Sequence, residues 1–144
     1  MQKKTKTKVK TKKGTVVVKA KRKSAVARTV AKKGTGKVTI NKKPLETVSS
    51  KYIRLMIKEP LMLAPAEAKE IDFDITAKGG GNMAQAIASR ATIAKSIVEL
   101  TKNEKTKKMF LEYDRLLLVD DVRRVESKKP LGPKARAKKQ RSKR

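Results

Sequence analysis

The sequence predicts an α+β fold, a sheet layered against helices, with basic extensions at both ends. Three observations carry this. Short β-branched or alternating runs occur at 15–20, 25–31, 37–41 and 69–77, the mark of strands. Apolar residues recur at helical spacing over 50–58 and 83–101. Residues 1–23 carry 11 basic side chains and no acid, and residues 128–144 carry 9 and no acid, while the middle keeps 20 basic and all 13 acidic residues.

The run Thr15-Val16-Val17-Val18-Lys19-Ala20 is β-branched and reads as a first strand. Residues 25–31 form a second, with Val26, Arg28 and Val30 on one face and Ala25, Ala27, Thr29 and Ala31 on the other. Arg28 among valines fits a sheet margin, where its head group can reach water. Gly34-Thr35-Gly36 reads as a hairpin turn into a third strand through Val38 and Ile40, and Lys42-Lys43-Pro44 as a further turn.

Ser49 and Ser50 are placed to cap a helix running to about Lys58, with Ile53, Met56 and Ile57 on one stripe. Glu59-Pro60 is expected to break it and to begin a short second helix, which Pro65 ends. Residues 69–77 form the clearest strand, with Ile71, Phe73 and Ile75 inward and Glu70, Asp72, Asp74 and Thr76 outward. After Gly79-Gly80-Gly81, Asn82 is the expected N-cap of a helix from Met83 to Thr101. Its buried stripe should be Met83, Ile87, Ala91, Ala94, Ile97 and Val98. A last helix, Glu104 to Asp114, should bury Met109, Phe110 and Tyr113. Leu116 to Val119 is open between strand and helix. The expected division is residues 1–14 as a Lys-rich arm, 15–127 as the core and 128–144 as a basic tail. Both ends have too few apolar residues to offset the entropy of ordering and should be disordered free in solution.

Composition narrows the function. With 144 residues, net charge +27, no Cys and no His, zinc fingers, Fe–S clusters, haem sites and Ser–His or Cys–His catalysis are excluded. No apolar run approaches the ~20 residues needed to cross a bilayer. Gly34-Thr35-Gly36-Lys37 lacks the P-loop pattern, since Ala31 stands where the first Gly is needed and Val38 follows the Lys. The Gly79–Gly81 loop before a helix N-terminus suits an anion such as an RNA phosphate, or simply a tight strand-to-helix connection. Asp72 with Asp74, and Asp120 with Asp121, read as salt-bridge partners rather than as acid/base pairs. No cofactor, small-molecule substrate or membrane is expected. The charge asks for a polyanion, and three of the four aromatics lie on buried stripes, which argues against a base-stacking platform. A DNA-compacting architectural protein shares these electrostatics and is the alternative.

The stretch Lys21-Arg22-Lys23-Ser24-Ala25-Val26-Ala27-Arg28, then Gly34-Thr35-Gly36-Lys37-Val38-Thr39-Ile40-Asn41, resembles the opening of the ninth small-subunit ribosomal protein family. Glu59-Pro60-Leu61, Gly79-Gly80-Gly81 with Gln85-Ala86, Asp114-Arg115, Asp121, Arg123-Arg124 and Lys128-Lys129 continue the resemblance in order. Tyr113-Asp114-Arg115 and the end, from Gly132-Pro133 to Arg144, resemble the archaeal and eukaryotic branch. The resemblance implies a two-layer fold like the second domain of the fifth small-subunit protein, with a left-handed βαβ crossover. It implies a cytoplasmic place in the head of the small subunit, on the 3′ major domain of the rRNA and beside neighbouring head proteins. It implies rRNA contacts from Lys21, Arg22, Lys23, Arg28, Lys37, Gly79, Gly80, Gly81, Asn82, Gln85, Arg90, Arg115, Arg123, Arg124, Lys128, Lys129, Lys134, Arg136, Lys138 and Lys139. The tail end, Arg141, Ser142, Lys143 and Arg144, would contact the anticodon stem-loop of P-site tRNA. The chain departs from the family pattern at Ala84, Leu131, Lys134, Arg141 and Lys143, and residues 1–14 are an arm the family does not require.

Overall fold

The computed structural model describes residues 14–48, 50–130 and 132–137. Five strands form one sheet: β1 (Thr15–Arg22), β2 (Ala25–Lys33), β3 (Val38–Ile40), β4 (Lys43–Pro44) and β5 (Ile71–Lys78). Their order is β1-β2-β5-β3-β4, antiparallel throughout except for the parallel β3–β5 pair. Four helices, α1 (Lys51–Leu63), α2 (Pro65–Lys69), α3 (Asn82–Thr101) and α4 (Glu104–Tyr113), supply the helical layer. The α+β expectation holds.

The strand order overturns one local reading. Gly34-Thr35-Gly36 is not a hairpin turn, because β5 lies between β2 and β3 and the two do not pair. The loop instead crosses the end of β5, where Asp72 Oδ1 accepts from Thr35 N at 2.8 Å and Lys37 N at 3.1 Å. Those two amides, with the nearby Lys32 and Lys37 charges, hold the Asp72 carboxyl below its usual range. Beyond β3, Asn41 continues the pairing with its side chain: Oδ1 accepts from Ala77 N at 2.9 Å and Nδ2 donates to Ala77 O at 3.2 Å.

Pairing register decides which face is buried. Val18 and Ala20 of β1, Ala25, Ala27, Thr29 and Ala31 of β2, and Ile71, Phe73, Ile75 and Ala77 of β5 point into the core. The valine face of β2 is the open one, so Arg28 among Val26 and Val30 needs no sheet margin: it stands on a face that no helix covers. Against the small residues of the inner face lies α3, itself rich in Ala, Ser and Thr. Thr29 Oγ1 donates to Thr92 Oγ1 at 2.6 Å, and Thr92 Oγ1 to Ser89 O at 2.8 Å, so the buried hydroxyls are satisfied. Phe110 of α4 and Leu117 of a 3-10 turn at Arg115–Leu117 complete the core with Ile93 and Ile97.

Several helix expectations change. Pro60 does not break the first helix but lies buried inside α1, which runs on to Leu63, and Pro65 begins α2 rather than ending it. Ser50 occupies the N-cap position of α1 without a side-chain hydrogen bond, and Ser49 lies outside the described residues. Asn82 is the first residue of α3, with Gly81 as N-cap. Helix α3 is buried on more than one stripe, since Ala86, Ala88, Ser89, Ile93 and Ser96 join Ala91, Ala94 and Ile97, while Met83 is exposed. Helix α4 buries Phe110 but leaves Met109 and Tyr113 outside. Tyr52 at 62 % and Tyr113 at 55 % exposure mean that two aromatics, not three, are interior.

Candidate nucleic-acid interface

The strands β1 to β4 and their loops set the charge of the open face. Residues 14–44 contain ten Lys and Arg and no acid. By register, Lys19 pairs with Arg28 and Arg28 with Thr76, while Lys21 pairs with Val26 and Val26 with Lys78, all on the outer side. Two basic rows therefore cross the sheet at the β1–β2 hairpin end. Neither Lys19 nor Lys78 stands out in the linear sequence, because only pairing brings them beside Arg28 and Val26.

The hairpin turn is Lys23–Ser24, with Lys23 in the left-handed region at φ 54°. Behind it sits the glycine loop. A Cβ on Gly79 would lie 2.6 Å from Ser24 O, and one on Gly80 would lie 3.1 Å from Ala25 N. Both also have positive φ, 77° and 63°. The chain's own hairpin, rather than a phosphate, thus demands these two glycines. Gly81 has open space beside it. The first turn of α3 beyond Gly81 carries no side-chain cap and no acid, so its amides suit an anion. Gln85 Nε2 donates to Gly79 O at 3.0 Å and steadies the loop from within.

The segment after the last 3-10 turn completes the site. Asp121 forms a parallel bridge with Arg22 at the outer edge of β1. Its carboxylate pairs with Arg22 Nη1 at 3.1 Å and with Arg123 Nη2 at 2.7 Å, and accepts from Arg123 N at 2.8 Å. Arg22 Nη1 also donates to Arg123 O at 3.4 Å. The Asp121 side chain is only 6 % exposed. The Arg123 side chain and amide, with Coulomb attraction from Arg123 and Arg22, pull its carboxyl down to about 2. This pin lays the following residues beside the hairpin. Lys21, Lys23, Ser24, Val26, Arg124 and Val125 then line one shallow groove.

The pin has a pH signature. Its folded-state pKa is depressed, so its contribution is complete above the unfolded value near ~3.9 and is lost as pH falls toward about 2. A carbon-detected NMR titration of the Asp121 carboxyl should show a midpoint near 2. A midpoint near ~4 would mean that the arginines do not hold it.

Other expected RNA contacts scatter. Arg90 is mostly buried and already paired. Its side chain, 14 % exposed, joins Glu59 Oε2 at 2.8 Å and the Asp114 carboxylate, tying α1, α3 and the end of α4 together. The Glu59 oxygen makes this ion pair at an angle that gives no hydrogen bond. Lys37 lies in the crossing loop at the far end of the sheet, and Arg115 stands exposed on the helical layer. Arg136 Nη2 reaches Glu126 Oε1 at 2.6 Å, folding the tail back on itself, while Lys128, Lys129 and Lys134 are exposed. Lys138, Lys139, Arg141, Ser142, Lys143 and Arg144, and Leu131 of the bend, lie outside the described residues. Among the described residues no group of three or more acids could hold a metal, and no helix is long and apolar enough to cross a membrane.

Residues 20–144 match the model of a family described as ribosomal protein S9/S16. Over 123 residues the chain is 49 % identical to small ribosomal subunit protein uS9 of Methanococcus maripaludis, covering 83 % of this chain and 92 % of that protein. It is 48 % identical over 127 residues to the uS9 protein of Thermoplasma volcanium, covering 88 % and 96 %. The corresponding figure for Picrophilus torridus is 44 % over 122 residues, covering 85 % and 92 %.

Proposed function

Because the chain belongs to the ribosomal protein S9/S16 family, and so is a structural constituent of the small ribosomal subunit, we propose how it holds its RNA. The open face at the hairpin end of the sheet lies on rRNA of the subunit head, in the 3′ major domain. Lys21, Lys23 and Arg124 take backbone phosphates along their groove, with Arg28, Lys19 and Lys78 beside them. The first turn of α3, opened by Gly81, receives a further phosphate. Arg22 and Arg123 hold the shape of this surface through Asp121, and the exposed Arg123 guanidinium keeps donors for RNA. The chemistry is recognition of shape and charge, and no covalent bond is made or broken.

The observation that carries this reading is the convergence of Lys21 and Lys23 with Arg124, which is more than 100 positions further along the chain, around one groove on the sheet face that lacks helices. From Asp121 the tail leaves the core at that same corner, so its basic residues continue along the RNA. Lys128, Lys129, Lys134, Lys138 and Lys139 follow rRNA, and Arg141, Ser142, Lys143 and Arg144 reach P-site tRNA.

Deleting residues 141–144 tests the last step. Subunits should assemble as before, because the groove and the proximal tail are intact, and P-site tRNA should dissociate faster. Unchanged tRNA off-rates would overturn the tail's role. Failure to assemble would mean that the last four residues serve rRNA instead.

A further inference from the structure

The open face is not uniformly basic. By register Val17 pairs with Val30, Val30 with Asp74 and Asp74 with Thr39, so one outward row crosses four strands. It lies between two rows that carry cations, Lys19 with Arg28 on the hairpin side and Lys32 on the other. Val17 and Val30 are exposed, and so is Asp74. Around Asp74 the surface dips into a shallow depression of about 340 Å³, walled by Val30, Lys32, Lys37, Thr39, Asp72 and Asp74.

The two carboxylates of this depression have different work. Asp72 is spent on the crossing loop, where its Oδ1 accepts from the Thr35 and Lys37 amides. Asp74 stands on the open face itself. Thr39 Oγ1 donates to Asp74 Oδ1 at 3.0 Å, with Phe73 O at 3.3 Å as a second acceptor, and so aims the carboxylate. An ionised carboxylate offers about four lone-pair sites, and one hydroxyl leaves most of them for a ligand. Such a group is out of place under RNA backbone, because at close range it repels phosphate. It is in place under the edge of a base that presents N–H donors.

We infer that this depression holds one unpaired guanine of the bound RNA, with Asp74 reading its Watson–Crick edge. The inference rests on the reading of the open face as the RNA surface, and adds base readout to shape and charge. Guanine alone among the common RNA bases sets two N–H donors, N1 and N2, side by side on that edge, a match for the two oxygens of a carboxylate. Adenine and cytosine each put a bare ring nitrogen beside the amino group, and uracil flanks its N–H with carbonyl oxygens. Each of these turns an acceptor toward Asp74. The base must be unpaired, since in a helix the same edge is occupied by its partner.

The surroundings suit the rest of the nucleotide. Val30 and Val17 give the base an apolar floor. Lys32 and Lys37 both act on the Asp72 carboxylate. With two ammoniums to one carboxylate, net positive charge remains at the rim for the nucleotide's own phosphate. Arg28, two places along β2 on the same face, can lay its guanidinium against a neighbouring base.

Kethoxal tests this directly, because it reacts with N1 and N2 of guanines whose Watson–Crick edge is free. Small subunits are assembled with the full-length parent chain or with Asp74→Asn, which keeps the side chain's size and an acceptor for Thr39 but loses the charge and one acceptor oxygen. One guanosine of the head rRNA, protected in parent subunits, should react about fivefold faster or more with the variant chain, while other guanosines keep their reactivity. Thr39→Val leaves the carboxylate and removes the hydroxyl that aims it, and should raise the same position by less. It carries the test if the Asp74→Asn chain does not assemble, and an unchanged pattern there overturns the subsite. Dimethyl sulfate, which reports adenine N1 and cytosine N3, reads the competing bases. No change at any guanosine, or a change at an adenosine or cytidine instead, would overturn the assignment. Loss of a neighbouring protein from Asp74→Asn subunits with every guanosine unchanged would do the same, since Asp74 would then hold a basic protein segment. Acetylation of Lys19 and Lys21 in parent subunits reads the face separately. Protected lysines with no guanosine change overturn the base subsite alone, whereas reactive lysines overturn the reading of the face and the subsite with it.

Discussion

Replacing Lys21, Lys23 and Arg124 together with Gln should weaken binding to head rRNA fragments by about two orders of magnitude near ~0.1 M salt. Each contact neutralises one phosphate and contributes about −0.7 to −0.9 to the slope of log K against log salt. Three lost contacts should flatten that slope by about 2 to 3. All three side chains are exposed, so the fold should be unaffected. The decisive control removes equal charge elsewhere. Lys102, Lys105 and Lys108 are exposed on the helical layer, and their Gln triple should lose much less affinity. Equal losses from the two triples would show that net charge, not the groove, governs binding.

Arg90→Leu is expected to act on stability and not on RNA affinity. The substitution leaves Glu59 and Asp114 facing each other without their shared cation. Breaking one side of a buried ion pair costs about 3–5 kcal/mol. These carboxylates are 32 % and 29 % exposed, so solvent reduces the loss to about 2–3 kcal/mol. For a core of this size that lowers Tm by about 10 °C. Thermal unfolding of the full chain measures it. Below the transition, the salt slope of RNA binding should match that of the parent. A stable variant with a reduced slope would place Arg90 on RNA after all.

Arg90 also illustrates what the sequence could disclose. In one dimension it is one more cation in a basic chain, and only the meeting of three helices reveals its carboxylate neighbours. Local pattern was sufficient where one face is buried and the other wet, as in β5, where Phe73 and Ile75 alternate with Asp74 and Thr76. It failed for α3, because a helix packed against both the sheet and α1 has no single apolar stripe. Small residues replace the stripe, and close approach, not hydrophobic contrast, fixes their positions. Pro60 misled for a similar reason: its cost inside a helix is real, yet burial against the core outweighs it. The Gly79-Gly80 pair was legible as a loop needing unusual backbone, but the cause lies at Ser24, which no spacing rule connects to it. The groove residues were legible by resemblance one at a time. Their convergence depends on Asp121 finding Arg22 across the fold.

The central place of β5 bears on how the chain matures during synthesis. Residues 1–44 emerge first, with 17 cations and no anion, yet β2 and β3 cannot join until residues 71–78 arrive to fill the slot between them. Until then only the local β1–β2 and β3–β4 pairs can form, and isolated hairpins are marginal in water. A nascent chain halted before residue 70 should therefore remain an open polycation, prone to capture by any nearby RNA, and acquire protease resistance only once β5 has cleared the exit tunnel. Such late closure of non-local pairs makes for slow maturation, and gives the newborn chain a reason to be escorted to its subunit.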